Sequence, residues 1–309
     1  MRHEMAGYII QRLFMGIILL KCVLIIIFLL LHMTGDPALV MAPEDATQED
    51  IARIRHLMGF DKSLFTQYSI FFNRVIQGDF GESWNHGESA LKIVLERLPA
   101  TIELAVAAFI LSVVIGVPLG ILAAYKENSL LDRSCMAGAV LGQAVPNFWM
   151  GLMLILGFGV FLRVLPASGR GGIENLILPA LAAGFYHTAR LARLMRSEML
   201  EVLRQDYIQT ARSKGLPEMS VLFRHALKNS AIPIVTVLGM DLGILLGGTV
   251  IIETVFAWPG VGRLAVQAIH GRDFPVVQVT VFILASMFVL INLLVDIIYI
   301  FIDPRIEYR

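Results

Sequence analysis

Two acidic residues lie well away from the outer ends of stretches apolar enough to cross a membrane. Asp241 stands in "VLGMDLGILLGG", and Asp296 stands in the last apolar stretch. An ionisable group at such depth costs several kcal/mol unless it is paired or hydrated, so each is a functional candidate. The glycines around Asp241 allow either a close helix contact or a lined pathway, and we predict a pathway. We expect Asp296 to pair with Arg12 or Lys21.

Motifs for covalent chemistry are missing from the sequence. The two acids lack the Gly-x-Gly-Asp context of intramembrane aspartyl proteases, and no Gly-x-Ser-Gly serine site occurs. There is no Gly-x4-Gly-Lys-[Ser/Thr] loop to hold ATP phosphates, and the histidines form no ligand pair at i, i+4 spacing. Cys22 and Cys135 both fall in apolar segments. We therefore predict no catalytic residue, no metal site and no cofactor in this chain, and any ATP hydrolysis must be supplied by another protein.

The composition is typical of a polytopic membrane protein. Of 309 residues, 57% are hydrophobic and 16% are charged, with a mean hydropathy of +0.72. The net charge of zero gives no indication of nucleic-acid binding. A spanning helix needs about 20 apolar residues. Six segments meet that length: 8–32, 101–125, 135–162, 176–195, 231–252 and 278–302. The sequence thus predicts an all-α fold, a single transmembrane domain over residues 1–309.

The distribution of Lys and Arg predicts the orientation. Six spans put both termini on one side, and basic residues gather at the span ends on that side, above all between Arg190 and Lys228. On the opposite side most basic residues fall in one long loop, where charges count for less. We therefore predict that both termini and the 196–230 loop are cytoplasmic.

The long loop, residues 33–100, should then lie outside the membrane. Its middle, "QEDIARIRHLMGFDKSLFTQYSIFFNRVI", spaces its apolar residues as a helix does. We expect one or two short helices there and no strand domain.

The 196–230 loop is amphipathic and has a Gly–Pro corner. Gly215 should end one helix, and Pro217 should start a second that runs to about Asn229. That second helix places Met219, Leu222, Phe223, Ala226 and Leu227 on one stripe. Local pattern leaves two roles open, namely attachment to anionic lipid and docking on a protein partner.

The segment "DYIQTARSKGLPEMSVLFRHALKNSAIP" (206–233) resembles the signature loop of permease subunits of binding-protein-dependent ABC importers, in the dipeptide, oligopeptide and nickel branch. Further matches occur in the family's order over nearly the whole chain. They are "TGDPA" (34–38), "LPATIELA" (98–105), "VPNFWMG" (145–151), "IIETVFAWPGVGRLAVQAI" (251–269), "RDFPVVQ" (272–278) and "DPRI" (303–306). The general signature begins Glu-Ala-Ala, whereas this chain has Gln209 and Thr210 before Ala211, as the peptide branch does.

This resemblance implies a type I ABC importer permease fold in the bacterial inner membrane. The loop would be the coupling helix, seated in a groove of a cytosolic ATPase that binds ATP and Mg²⁺. Two ATPase subunits or domains, a second permease and an extracytoplasmic solute-binding protein would complete the transporter. The residues expected to contact the ATPase are Ala211, Arg212, Lys214, Gly215, Leu216, Pro217, Leu222, Phe223 and Arg224. Gly215 and Pro217 would form the corner, the apolar residues would fill the groove, and the cations would pair with acids.

The resemblance favours import of di- or oligopeptides by alternating access. Nickel, a nickel chelate or a glutathione-like peptide is the alternative within the branch. A rival of another class is an ion-coupled secondary transporter, which would also have acids at membrane depth.

Several other residues are candidates for the pathway. Phe256 and Trp258 could line its mouth or anchor the chain at the membrane interface. Pro118 and Pro146 should interrupt their spans, and the break at Pro146 could expose backbone near Asn147 to a cavity. Glu103, near the end of its span, is expected to be hydrated.

Overall fold

A computed structural model describes residues 2–33, 38–39 and 46–302. The described part is helical and contains no β-strand, only an isolated bridge between Glu82 and Ser89. The helices are α1 (Arg2–Met33), α2 (Gln48–Met58), α3 (Leu64–Ile76), α4 (Ala90–Tyr125), α5 (Leu130–Ala144), α6 (Asn147–Leu154), α7 (Ile173–Leu203), α8 (Asp206–Ser213), α9 (Glu218–Ser220), α10 (Leu227–Gly248), α11 (Val250–Val255), α12 (Val261–His270) and α13 (Phe274–Ile302). Two π-helical stretches, Ile155–Phe161 and Val221–Ala226, follow α6 and α9. Motif residues 34–37 and 303–306 lie outside the described residues.

Three described helices are long and apolar enough to cross a membrane: Ile9–Leu30 within α1, Ala90–Tyr125, and Phe274–Ile297 within α13. Two bent pairs pass the same test as units, Leu130–Ala144 with Asn147–Phe161 and Glu218–Ala231 with Pro233–Gly248. The described residues therefore contain three spanning candidates, or five if each bent pair is one span. The predicted span 176–195 lies inside α7 and is not among them, since His187, Arg190 and Arg193 lower its hydropathy.

The prolines act differently from one another. The predicted interruption of the 135–162 span at Pro146 is confirmed, because the helices on either side of it, α5 and α6, meet at an angle of 107°. Val145 is extended, the conformation favoured before a proline, and Pro146 then precedes α6. The predicted interruption at Pro118, by contrast, is wrong, since α4 continues through it as one helix. That helix begins at Ala90, so it takes in the last residues of the predicted 33–100 loop.

The predicted short helices of the long loop are confirmed by α2 and α3. Thr47 and Asp50 form a reciprocal capping box at the start of α2, which satisfies backbone donors left unpaired by the helix. Gly59 ends that helix at φ 73°, and the Ser63 hydroxyl caps α3. Between residues 46 and 89, where the structure describes the loop without a gap, it thus consists of two capped helices and a short irregular segment before α4.

Helix α4 extends from one end of the fold to the other, and it contributes residues to three buried clusters along its length. Its first turns pack with α12 and α13 through Ala90 and Val94. Its middle packs with α7 and the residues around Trp258, and its last turns pack with α7 and α8 around Ile121. At 1.5 Å per residue this helix is about 54 Å long, so the first and last clusters lie at opposite ends of the bundle. We call these the Ala90 end and the Tyr125 end.

Candidate functional site

The chain turns sharply at the Tyr125 end, between α7 and α10. Residues 206–226 form what we call the Gly215 corner. Helix α8 ends at Ser213, and Gly215 adopts φ +78°, a left-handed conformation that costs other residues energy. The predicted stop at Gly215 is confirmed. Pro217 is the residue before the next helix, and that helix does not end at Asn229 as predicted but continues into α10, with a bend of 58° near Pro233.

The buried face of this corner fixes it to the bundle. Ile208, Ala211, Val221 and Leu222 are at most 6% exposed and pack in one cluster with Met195 and other residues of α4 and α7. Leu222 was expected to fill a partner's groove, but it is 3% exposed in the chain's own core. Ala211 is buried in the same way, at 6%. These two residues position the corner and do not present a docking surface.

The outward face of the corner carries the rest of the predicted set. Leu216 is 38% exposed and Phe223 is 51% exposed. Pro217, Lys214 and Arg224 are also exposed. Among the described residues no ion pair involves Lys214 or Arg224. Two apolar side chains beside two available cations suit a groove that has an acidic rim.

Arg212 has a partner within the corner itself. Its guanidinium donates to Glu218 at 2.6 and 3.2 Å, which joins the end of α8 to the start of α9. This hydrogen bonding raises the pKa of Arg212. Arg212 therefore braces the turn across Gly215 and Pro217.

A second corner lies on the far side of α10. Residues 249–273 form the Trp258 corner, built around the carboxylate of Glu253, which is fully buried. The carboxylate accepts from the hydroxyls of Thr101 (2.8 Å) and Thr249 (3.0 Å) and from the backbone amide of Arg263 (2.9 Å). A buried charge is tolerated when donors surround it in this way. Glu253 thereby holds α4, α11 and α12 together.

Phe256 and Trp258 are both 0% exposed and belong to the central buried cluster. The indole of Trp258 donates to the carbonyl of Ala100 at 2.8 Å. In this structure both side chains are covered by the chain's own core, and their predicted role in the pathway or its gate is untested. Asn147 is half-buried at the start of α6.

Asp241 is 2% exposed and links the two helices that flank the Gly215 corner. Arg190 of α7 donates to its carboxylate at 2.8 Å. His187 Nδ1 lies 3.1 Å from the same oxygen, but at an angle that makes no hydrogen bond. Such a paired, buried acid is held by α7 and does not face an open route in this conformation; its predicted pathway role is untested.

The other acids at membrane depth are also paired. Arg12 lies 3.1 Å from Asp296, as predicted, and joins α1 to α13. Glu103 was expected to be hydrated, but it pairs with Arg170 at 2.6 Å while remaining 39% exposed. Within the described residues no group of three His, Cys, Asp or Glu side chains is arranged to hold a metal ion.

Comparison with known proteins identifies the family. Residues 116–308 match the binding-protein-dependent transport system inner membrane component, and residues 5–105 match its N-terminal component. The chain belongs to this family of transporter permeases.

The relatives of this permease are similar over their full length. A probable peptide ABC transporter permease of Sinorhizobium fredii is 42% identical over 98% of this chain and 100% of its own. The dipeptide transport permease DppB of Alkalihalophilus pseudofirmus is 38% identical over 98% of this chain and all of its own. The glutathione transport permease GsiC of Escherichia coli K12 is 38% identical over 99% of this chain and all of its own.

The fold also resembles a solved structure. An inward-facing structure of the MetNI methionine ABC transporter matches with a TM-score of 0.60 and 19% identity, over 68% of this chain and 96% of that one. This likeness supports the helical permease fold. The family match and the apolar helices together make the chain a multi-pass membrane permease of a binding-protein-dependent transport system.

Sequence reasoning missed three buried acids in the permease. Glu253 and Asp273 were not singled out, although each stands within a quoted motif. Asp132 was also missed; it is 2% exposed and receives two hydrogen bonds from Arg196 of α7, at 2.5 and 2.7 Å. A lone acid inside an apolar run, as in "VIIETVF", is the signal that could have found Glu253.

Proposed function

We propose that this chain is the permease subunit of an ATP-driven importer that carries di- or oligopeptides across the bacterial inner membrane by alternating access. It would have six spans, with the Tyr125 end and both termini in the cytoplasm. The chain itself would perform no covalent step.

The observation that carries this proposal is the outward face of the Gly215 corner. A glycine-dependent turn, seated firmly on α4 and α7, presents Leu216, Phe223 and two available cations away from the bundle. A cytosolic ATPase gripping this face could move α7 and α10 directly, because the corner joins those two helices. A segment that only attached the chain to lipid would not require a turn held this rigidly.

The Asp241–Arg190 pair supports the same mechanism. It connects α7 and α10 a few helical turns from the corner, so force applied at the corner reaches both helices as a unit. The partners in this proposal are two ATPase subunits or domains that bind ATP and Mg²⁺, a second permease, and an extracytoplasmic solute-binding protein.

The substrate is proposed from the relatives. Those described above are named for peptides, dipeptides or glutathione, which is itself a short peptide. Glutathione is therefore the second candidate substrate. No observation on this chain specifically favours nickel.

The test is peptide uptake into proteoliposomes that contain the assembled transporter. We expect uptake with ATP and binding protein that persists without a membrane potential and stops when the ATPase partner cannot hydrolyse ATP. Uptake that follows the ion gradient and ignores the ATPase would support a secondary transporter instead.

Variants at Gly215 test the role of the corner. A Cβ built at Gly215 meets no atom within 4 Å, so substitution strains only the backbone. Gly215→Val should uncouple ATP hydrolysis from uptake. Gly215→Asn, which tolerates the left-handed conformation better, should retain most of the coupling. Normal coupled uptake by Gly215→Val would argue against docking at this corner.

A further inference from the structure

A cavity of about 580 Å³ lies at the Ala90 end, between α3, the 79–84 segment and the first turn of α13. Its size is within the range of small-molecule sites, and it lies between packed helices, where such sites commonly occur. Its walls are aromatic, formed by Phe28, Phe71, Phe80 and Trp84 among others.

The aromatic walls are held in place by neighbouring rings. Phe28 packs on Phe71 at 5.9 Å between centroids, Phe80 on Phe282 at 5.4 Å, and Trp84 on Phe274 at 5.4 Å. These contacts join α1, α3 and α13 around the cavity. A cavity with supported walls can receive an apolar side chain with little loss of entropy.

Two carboxylates fix the segment that forms the cavity's rim. Asp79 accepts from Arg74 Nε at 2.8 Å and from the amide of Gly81 at 2.9 Å. Asp273, which is 1% exposed, accepts from the Ser83 hydroxyl and from the amide of Trp84 at 3.2 Å. The 79–84 segment is thus preformed without any ligand.

Polar groups of both charges remain available in this preformed cavity. Arg74 uses Nε on Asp79, and no described residue pairs with its two terminal nitrogens. Glu82 also lines the cavity, and its side chain has no hydrogen bond or ion pair within the described part of the chain. Gln278 is 8% exposed and lines the cavity, and its amide has no hydrogen bond to any described residue.

We propose that this cavity is a binding site for short zwitterionic peptides with an apolar side chain. The terminal carboxylate would pair with Arg74 and the ammonium with Glu82, while the aromatic walls receive the side chain and Gln278 bonds the peptide backbone. The choice of ligand rests on the proposed function. In the proposed orientation the cavity opens outside the membrane, where delivered peptide would meet the permease first.

The test measures equilibrium binding of labelled leucyl-phenylalanine to the assembled transporter in nanodiscs, without the solute-binding protein. The same dipeptide as its C-terminal amide and in N-acetylated form serves as the comparison. For the native chain we expect about tenfold weaker binding of each modified form, since each loses one charge-assisted hydrogen bond.

Each variant should remove one of these preferences. Arg74→Gln should bind the acid and the amide equally, and Glu82→Gln should bind the free and acetylated peptides equally. Arg53→Gln removes an exposed cation from α2, outside the cavity, and should behave as the native chain.

An unchanged preference for the acid in Arg74→Gln, or absence of saturable binding, would overturn the site. If that occurred while ATP-driven peptide uptake persisted, the proposed function would stand without it. Conversely, the dipeptide could bind in an Arg74-dependent way to a transporter that imports no peptide. The proposed function would then be wrong, while the proposed binding site would stand.

Discussion

The Gly215 corner and the Trp258 corner both turn the chain with glycine and proline beside charged residues, yet they place those charges differently. At the Gly215 corner Lys214 and Arg224 are exposed, and Arg212 pairs with Glu218 at the surface. At the Trp258 corner the Glu253 carboxylate is fully buried among three donors.

The exposed charges of the Gly215 corner can bind a partner protein, whereas the buried carboxylate of the Trp258 corner holds the helices of the bundle together. A buried carboxylate with its donors satisfied contributes to a single packing arrangement, and removing it leaves several donors unpaired. Exposed charges contribute little to stability and remain available for binding. Mutations should therefore affect folding at the Trp258 corner and coupling at the Gly215 corner.

The largest effect is expected from Glu253→Ala. It leaves the Thr101 and Thr249 hydroxyls and the Arg263 amide without their acceptor, which should cost about 3–5 kcal/mol of stability. Thermal unfolding of the purified permease in detergent measures the loss. Glu253→Gln keeps one acceptor oxygen and serves as the control with a smaller loss. If Glu253→Ala were as stable as the native chain, the contrast between the corners would fail.

Breaking the Asp241–Arg190 pair should come next. Asp241→Leu leaves Arg190 without its partner in a mostly buried site and should cost about 2–4 kcal/mol. Replacing both residues by Leu should recover much of that stability, because no unpaired charge remains. Melting temperatures of the single and double variants provide the comparison. If the double variant regained stability but still failed in coupled uptake, the pair would be shown to transmit movement between α7 and α10. Normal uptake by the double variant would contradict that role.

Two glycine substitutions sharpen the comparison further. A Cβ on Gly262 would lie 2.6 Å from the Cα of Val250, so Gly262→Ala should cost about 1–3 kcal/mol through overpacking. Gly215→Ala meets no neighbour and should cost about 1 kcal/mol through its backbone alone. Unfolding curves of the two variants, measured under the same conditions, separate the cost of overpacking from the cost of backbone strain. Equal losses at both positions would mean that close packing is not what the Trp258 corner requires.

The smallest effect on stability is expected from Arg212→Gln. Its pair with Glu218 is exposed on both sides, so the unfolding free energy should change by no more than about 0.5 kcal/mol. Coupling of ATP hydrolysis to uptake, measured beside stability, should fall more visibly because the corner loses its brace. Glu127→Gln, which breaks another exposed pair with Arg204, is the matched control. If Arg212→Gln lost more than about 1 kcal/mol of stability, the Arg212–Glu218 pair would stabilise the fold as the buried Glu253 carboxylate does, and this prediction would be wrong.

Local chemistry made parts of the fold predictable. Gly215 ends its helix because only glycine takes a left-handed conformation freely, and that preference is visible in the sequence. The capped helices α2 and α3 follow from apolar spacing and from Thr47 and Ser63. The Arg12–Asp296 pair was predictable because each charge in an apolar span needs a partner.

Other features depended on distant contacts and could not be predicted. Trp258 and Phe256 read as exposed aromatics, but contacts with α4 bury them. Leu222 shares its amphipathic stripe with Phe223, and only the position of α4 and α7 decides which of the two is covered. Pro118 and Pro146 are the same residue type in apolar runs, yet one helix continues and the other breaks.

Hydropathy, helix capping and glycine conformation are properties of short segments, so the three long apolar helices and the Gly215 turn could be predicted from the order of residues alone. Arg190, which pairs with Asp241, is 51 positions away along the chain; Thr101, one of the donors to Glu253, is 152 positions away, and Ser83, a donor to Asp273, is 190 positions away. Which donor meets a buried carboxylate depends on how the helices pack against each other, and the three-dimensional arrangement alone assigns those pairs.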